Sequence, residues 1–327
     1  MTSVNADLHR RARQALAAFG LPAQEPELLK FRENAVFKVH LRDGQMAALR
    51  LHRPGYHSQA ALKSELLWMD DLRRNGIAVP QPIATDSGDL LVQITGEESQ
   101  YADLIGWVGG QQIGETGRPL CHSEREIERI YRSVGGVMAE AHNAADRWAV
   151  PTGFTRHAWN KDGLLGENPL WGRFWDCLIL PVEERHFLSK LRIDLQERID
   201  ALGSLDCGLI HADLVRENVL VDGDSVALID FDDCGYGYRL FDIATALLRN
   251  RHEPHYAALK NALIEGYRER RPLDEGALSN LPLFLLLRSV TYVGWAAARP
   301  DLPDTADRLS RYVGDVRELA IVLRNDI

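Results

Sequence analysis

His211-Ala212-Asp213-Leu214-Val215-Arg216-Glu217-Asn218 leads into Val219-Leu220-Val221, then Asp222-Gly223-Asp224, then Ala227-Leu228-Ile229-Asp230-Phe231-Asp232. Two short apolar runs flank an Asp-Gly turn, which is the signature of a β-hairpin. In a hairpin the start of the first strand lies beside the end of the second. The pattern has Asn218 opening the first strand and Asp230 closing the second, with Asp213 just upstream on the loop. An amide oxygen beside a carboxylate suits Mg²⁺, a hard ion that keeps several waters and takes few protein ligands. Asp213 is left as a base or as a group that orients a nucleophile.

The rest of the chain sets the frame for this hairpin. There are 327 residues, enough for one large or two ordinary domains. Phe37, Val39 and Leu41 alternate with Lys38 and His40 as in a strand, Asp43-Gly44 turns, and residues 46–52 return as the next strand. Ser58 is placed to cap a helix running to Arg74, closed by Asn75-Gly76. Residues 90–95 and 102–108 read as further strands. From residue 123 to 146, Ile127, Ile130, Val134, Met138 and Ala141 share one side of a long amphipathic helix. Helical patterns dominate after that. A strand-rich first part followed by a helical second part is an α+β plan in two lobes, divided at residues 1–105 and 106–327. The apolar run 281–298 is interrupted by Arg288 and reads as a buried core helix, so no membrane association is expected.

Bulk chemistry narrows the partners. The formal net charge is −9, which disfavours nucleic acid and suits a cationic or zwitterionic small molecule. The four cysteines, Cys121, Cys177, Cys207 and Cys234, are scattered. They indicate neither a zinc site nor a disulfide framework, and a reducing, cytoplasmic setting is expected. Residues 1–18 are charged and lack the apolar centre of a signal peptide. Nothing in the pattern speaks to oligomeric state.

The His-x-Asp loop, the Asn five residues on and the Asp after the next strand resemble the catalytic segments of protein-kinase-like phosphotransferases. Ile229-Asp230-Phe231-Asp232 and Phe241-Asp242-Ile243-Ala244 are similar to the aminoglycoside phosphotransferase and choline kinase family. Within it the wording is nearest to type II homoserine kinases and bacterial stress-response kinases. The resemblance implies a protein-kinase-like fold with ATP and Mg²⁺ as cofactors. It implies transfer of the γ-phosphoryl group to a hydroxyl of a small molecule, such as homoserine or another amino alcohol. Catalytic roles then fall to Asp213, Asn218 and Asp230, with Asn218 and Asp230 on the metal and Asp232 as an accessory acid. His211 braces the loop, and Asp242 accepts backbone hydrogen bonds from it.

The same resemblance places nucleotide contacts in the first lobe. Arg50 stands where the pattern has a strand lysine on the phosphates, and Glu65, on the inward face of the next helix, is its partner. Arginine for lysine is a departure that alters the phosphate geometry. Residues 31–37 connect two strands where a phosphate-covering loop would lie; they contain no glycine, and Asn34 matches the polar position. Backbone groups from Gly106 to Val108 are expected to meet adenine. The aromatic stretch 148–180 offers rings either to a cationic acceptor or to the core.

Three alternatives share parts of this pattern. A stress-response-type protein serine/threonine kinase would use the same residues with an open acceptor face. A nucleotide-binding protein without turnover fits the departure at Arg50. A haloacid-dehalogenase-type phosphatase would use Asp230 as nucleophile, leaving Asp213 and Asn218 without a role.

Overall fold

The computed structural model describes residues 3–31, 34–96, 99–301 and 303–325. Arg32 and Glu33 of the expected phosphate loop lie outside these residues. The chain divides into two compact units: Met1–Gln111 with Arg147–Arg156 and Ala227–Asp232, and Gln112–Asp146 with His157–Val226 and Asp233–Ile327.

The first unit begins with helix α1 (Ser3–Ala18) and strands β1 (Glu27–Phe31), β2 (Ala35–His40) and β3 (Met46–Leu51). Helix α2 (Gln59–Arg74) follows, then β4 (Pro82–Ile83), β5 (Leu91–Ile94) and β6 (Gln100–Gly106). The strands form one sheet in the order β1-β2-β3-β6-β4, with β5 also on β6. Alternation does what the sequence pattern requires: Phe37 and Val39 of β2, Leu49 and Leu51 of β3 and Leu104 of β6 are buried together under Leu8, Ala12 and Leu16 of α1. Ser58 caps α2, its Oγ accepting from the Ala61 amide at 3.2 Å. The register sets Arg50 directly opposite Asp103 on β6. The later segments join this unit through specific contacts. The Leu228 amide donates to the Ala78 carbonyl (2.9 Å), Phe231 packs edge-on to Trp68, and the Thr155 amide donates to Ser64 Oγ.

The second unit contains β7 (Gln111–Gln112), whose first residue belongs to the other unit, α3 (Glu124–Arg147), β8 (Ala158–Trp159), α4 (Lys161–Leu165) and α5 (Val182–Ala201). Then come β9 (Cys207–Ile210), β10 (Val219–Asp222), β11 (Ser225–Leu228), whose last two residues belong to the other unit, and β12 (Gly235–Tyr238). Helices α6 (Arg239–Leu248), α7 (Tyr256–Arg268), α8 (Glu275–Leu278), α9 (Leu281–Ala297) and α10 (Thr305–Asn325) complete it. Ser123 and Glu126 make a capping box at the start of α3, with the Ser123 amide donating to Glu126 Oε2 at 2.8 Å. Where α3 meets α7 the backbones touch: a methyl added to Gly135 would lie 2.0 Å from the Leu263 carbonyl oxygen, and one on Gly266 would lie 1.9 Å from that of Arg132. Only glycine permits that approach. The stretch Glu275–Ala297, which ends with α9, is long and apolar enough to cross a membrane by composition, yet most residues of α9 are buried within the protein, packed on α6 and α10.

Candidate active site

Strand β9 delivers the chain to His211, and a backbone reversal then presents Asp213. Ala212 adopts a left-handed conformation (φ 66°) that costs a residue with a Cβ roughly 1 kcal/mol. Asp242, near the start of α6, holds the reversal in place. Its Oδ2 accepts from the His211 amide (2.9 Å) and its Oδ1 from the Ala212 amide (2.6 Å). The expected bracing by Asp242 is therefore present. His211 also braces the loop, its Nδ1 accepting from the Asp213 amide at 3.3 Å.

Behind Asp242 stands His142 of α3, fully buried, its Nε2 donating to Asp242 Oδ2 (3.0 Å) and its Nδ1 accepting from the Tyr267 hydroxyl (2.8 Å). Burial drives the imidazole pKa down to about 4, so this histidine is neutral near pH 7. Burial alone would raise the Asp242 carboxyl. The bonds from His142 and the His211 amide outweigh it and hold the group below its ordinary range. The anchor is thus an ionised carboxylate with several donors on its two oxygens.

Asn218 does not open strand β10. It closes a single 3₁₀ turn, Arg216–Asn218, because its side chain is drawn back to the loop. Its Nδ2 donates to the Asp213 carbonyl (2.8 Å) and to Asp213 Oδ2 (2.9 Å). The other Asp213 oxygen, Oδ1, accepts from Nη2 of Arg288 at 2.6 Å. The hairpin itself forms as expected, with Gly223 in the left-handed region (φ 59°) at its turn.

In the first unit, Arg50 and Glu65 come together as expected: Nη1 donates to Glu65 Oε1 at 2.8 Å. The sequence reading set Arg50 against phosphates. In the structure its guanidinium is buried, and its immediate partners are carboxylates. Nε and Nη2 form a fork on Asp103 (2.8 and 2.7 Å), and His52 Nε2 donates to the same carboxylate at 2.7 Å. Burial by itself would raise the Asp103 pKa; Arg50 and His52 together bring it to about 2. Arg156 stands 3.7 Å from the other oxygen of Glu65. The result is a buried network of alternating charge that fixes β3, β6 and α2 to one another.

Asn34 lies at the start of β2. Its Nδ2 donates to Asp232 Oδ1 (3.1 Å) and its Oδ1 accepts from the Arg53 amide (3.2 Å). Asp232 is buried and also faces His57. Burial would raise its carboxyl, but His57 and the more distant His52 and Arg50 lower it well below the usual range. Asp230 follows the end of β11, is left-handed (φ 66°) and has Lys30 at 3.6 Å. It belongs to the first unit, whereas Asp213 and Asn218 belong to the second. Gly106 ends β6, its amide donating to the Gln81 carbonyl at 2.7 Å; Val108 follows outside the strand.

The aromatic stretch is already supplied with cations. Arg288 sits 4.4 Å from the ring centre of Trp171, and Arg192 sits 3.9 Å from that of Trp175. Trp159, Trp171 and Phe174 are core residues. Several groups of consequence were missed in the sequence: Asp103, His52, Arg156, His142 and Arg288. Two of them carried a signal. Asp103 and Arg288 are single charges inside apolar runs, and such a charge demands a partner. The partner's identity depends on strand register and helix packing, which local patterns do not report.

The fold is that of a protein-kinase-like enzyme, α+β, with a sheet-rich first unit and a mainly helical second. The sequence pattern of the phosphotransferase enzyme family matches residues 27–275. A homoserine kinase of Methylobacterium radiotolerans is 27% identical over 323 residues, covering 90% of this chain and 91% of that one. The solved structure of a microcompartment-associated aminopropanol kinase superposes with a TM-score of 0.82 at 29% identity, covering 96% of this chain and 97% of the other. An amicoumacin kinase solved in complex with AMP-PNP, Ca²⁺ and Ami gives a TM-score of 0.78 at 20% identity, covering 97% of this chain and 96% of that one, a likeness of fold alone. The chain belongs to the phosphotransferase enzyme family and is a kinase of the small-molecule type.

Proposed function

We propose that this kinase moves the γ-phosphoryl group of ATP to the hydroxyl of a small hydroxylated amine or amino acid, with homoserine and short amino alcohols as the leading acceptors. The observation that carries the reading is the Asp213–Asn218 couple on a loop pinned by Asp242. The acceptor oxygen attacks the γ-phosphorus. Its proton passes to the Asp213 carboxylate, the bond to the β-phosphate oxygen breaks, and ADP leaves with that electron pair. Asn218 and Asp230 are the hard oxygen donors assigned to Mg²⁺, and both residue types fit that ion. When bound, Mg²⁺ neutralises charge on the phosphate oxygens.

Arg50 acts indirectly in this reading. Locked to Asp103 and Glu65, it keeps β3 in register with α2. Asn34 ties the start of β2 to Asp232, which keeps the accessory acid ordered. The main chain from Gly106 to Val108 is assigned to adenine. Relatives named for homoserine and for aminopropanol support an acceptor with both a hydroxyl and an amine.

The test is ADP release from ATP and Mg²⁺ over hydroxylated amino acids, amino alcohols, aminoglycosides and generic proteins, run beside Asp213→Asn. The reading expects acceptor-dependent turnover with a small molecule and a loss of about 10²–10⁴-fold in the variant. Phosphate appearing only on protein, or full activity in Asp213→Asn, overturns it.

A further inference from the structure

Arg288 is the most unusual residue of the second unit. It sits in the middle of α9 with 0% of its surface exposed, in a helix otherwise dominated by Leu, Val and Phe. A leucine or methionine would fill that space without taking a charge out of water. Its Nη2 donates to Asp213 Oδ1 (2.6 Å) and to the Tyr292 hydroxyl (3.2 Å), while Nε and Nη1 have no hydrogen-bond acceptor among the described residues. Ring faces stand in their place. The guanidinium carbon is 4.4 Å from the centre of Trp171, 4.6 Å from Tyr292 and 5.5 Å from Phe241. Trp171 is itself tethered, its Nε1 donating to Asp233 Oδ1 at 3.1 Å. This is an aromatic cage around a cation, and the cation is the protein's own.

We propose that Arg288 is a positioning residue for phosphoryl transfer, acting through Asp213; the proposal rests on the reaction assigned above. The cage fixes the guanidinium, and the guanidinium fixes Asp213 Oδ1. Asn218 Nδ2 fixes the other oxygen at 2.9 Å. Held at both ends, the carboxylate has its plane set before the acceptor arrives, so the entropy of orienting it is not lost in the transition state. The aromatic stretch thereby serves the reaction through Trp171, one ring of the cage that holds the group orienting the base.

The experiment is a double-mutant cycle with Arg288→Met, Arg288→Lys and Asp213→Asn, read by steady-state kinetics and by thermal melting. Arg288→Met is expected to lower kcat about a hundredfold, with the KM for ATP unchanged. Arg288→Lys, which keeps a cation in the cage, should recover part of that loss. In the Asp213→Asn background Arg288→Met should cost almost nothing more, because the group it acts through is gone. Equal losses in both backgrounds, or an undiminished kcat in Arg288→Met, overturn the proposal. Should Arg288→Met not fold, the cycle is run with Arg288→Lys and judged by the same criterion. If the native enzyme phosphorylates no acceptor, the assigned reaction fails, and the melting cycle still reports whether Arg288 and Asp213 are coupled.

Discussion

Arg50 is the residue whose chemistry departs most from its expected use. The sequence made its pairing with Glu65 legible, because an inward-facing acid on a helix needs a cation. It did not disclose Asp103, which meets Arg50 only through the register of β3 against β6. With Asp103 included, the guanidinium fork has a planar partner that an ammonium cannot match. Arg50→Lys should therefore lose about 1–3 kcal/mol in urea unfolding, since one carboxylate is left with a poorer bond. Arg50→Met should lose about 3–5 kcal/mol, because two buried acids then lose the guanidinium they share and keep only His52 and Arg156 beside them. If Arg50→Lys unfolds at the native midpoint, the fork on Asp103 contributes nothing. Asp213 and Asn218 were legible for another reason: they lie five residues apart on one loop, whereas the role of Asp242, farther along the chain, was legible only through the resemblance to the phosphotransferase family.

Among the elements, the catalytic loop gives the clearest case of a structure held by one side chain. Two consecutive amides, of His211 and Ala212, point into the protein and both end on Asp242. Asp242→Asn keeps one oxygen and replaces the other with a donor, so one of these amides loses its acceptor. We expect a loss of about 1–3 kcal/mol in stability and a fall in kcat larger than any change in the KM for ATP. Native turnover in that variant would show that the loop holds its shape without the carboxylate. Element boundaries were read to within a few residues for α2 and α3. Asn218 was misplaced at the opening of a strand, because the pull of its side chain toward Asp213 is a contact that strand periodicity does not encode.

On the scale of the whole molecule, the two units draw on segments far apart in the chain. Residues 147–156 and 227–232 pack with the first unit through Ser64, Ala78 and Trp68, and a linear reading of lobes has no access to such returns. Stability against acid is a property at this scale, and His142 sets part of it. The unfolded chain takes up this proton near pH 6.5 and the fold only at about 4. Between those values the unfolded state binds more protons, so stability falls as pH falls through the window. The loss is roughly 3 kcal/mol by pH 4. Urea midpoints between pH 7 and 4.5 should drop in the native protein and drop less in His142→Gln; equal drops would remove His142 from the account. His142 also lies on α3, whose backbone rests on that of α7 at Gly135 and Gly266 with no side chain between them to absorb a displacement. A bulkier residue at that crossing would be a mechanical fault that an assay reports as a chemical one: the loop would fail although every group that handles phosphate was intact.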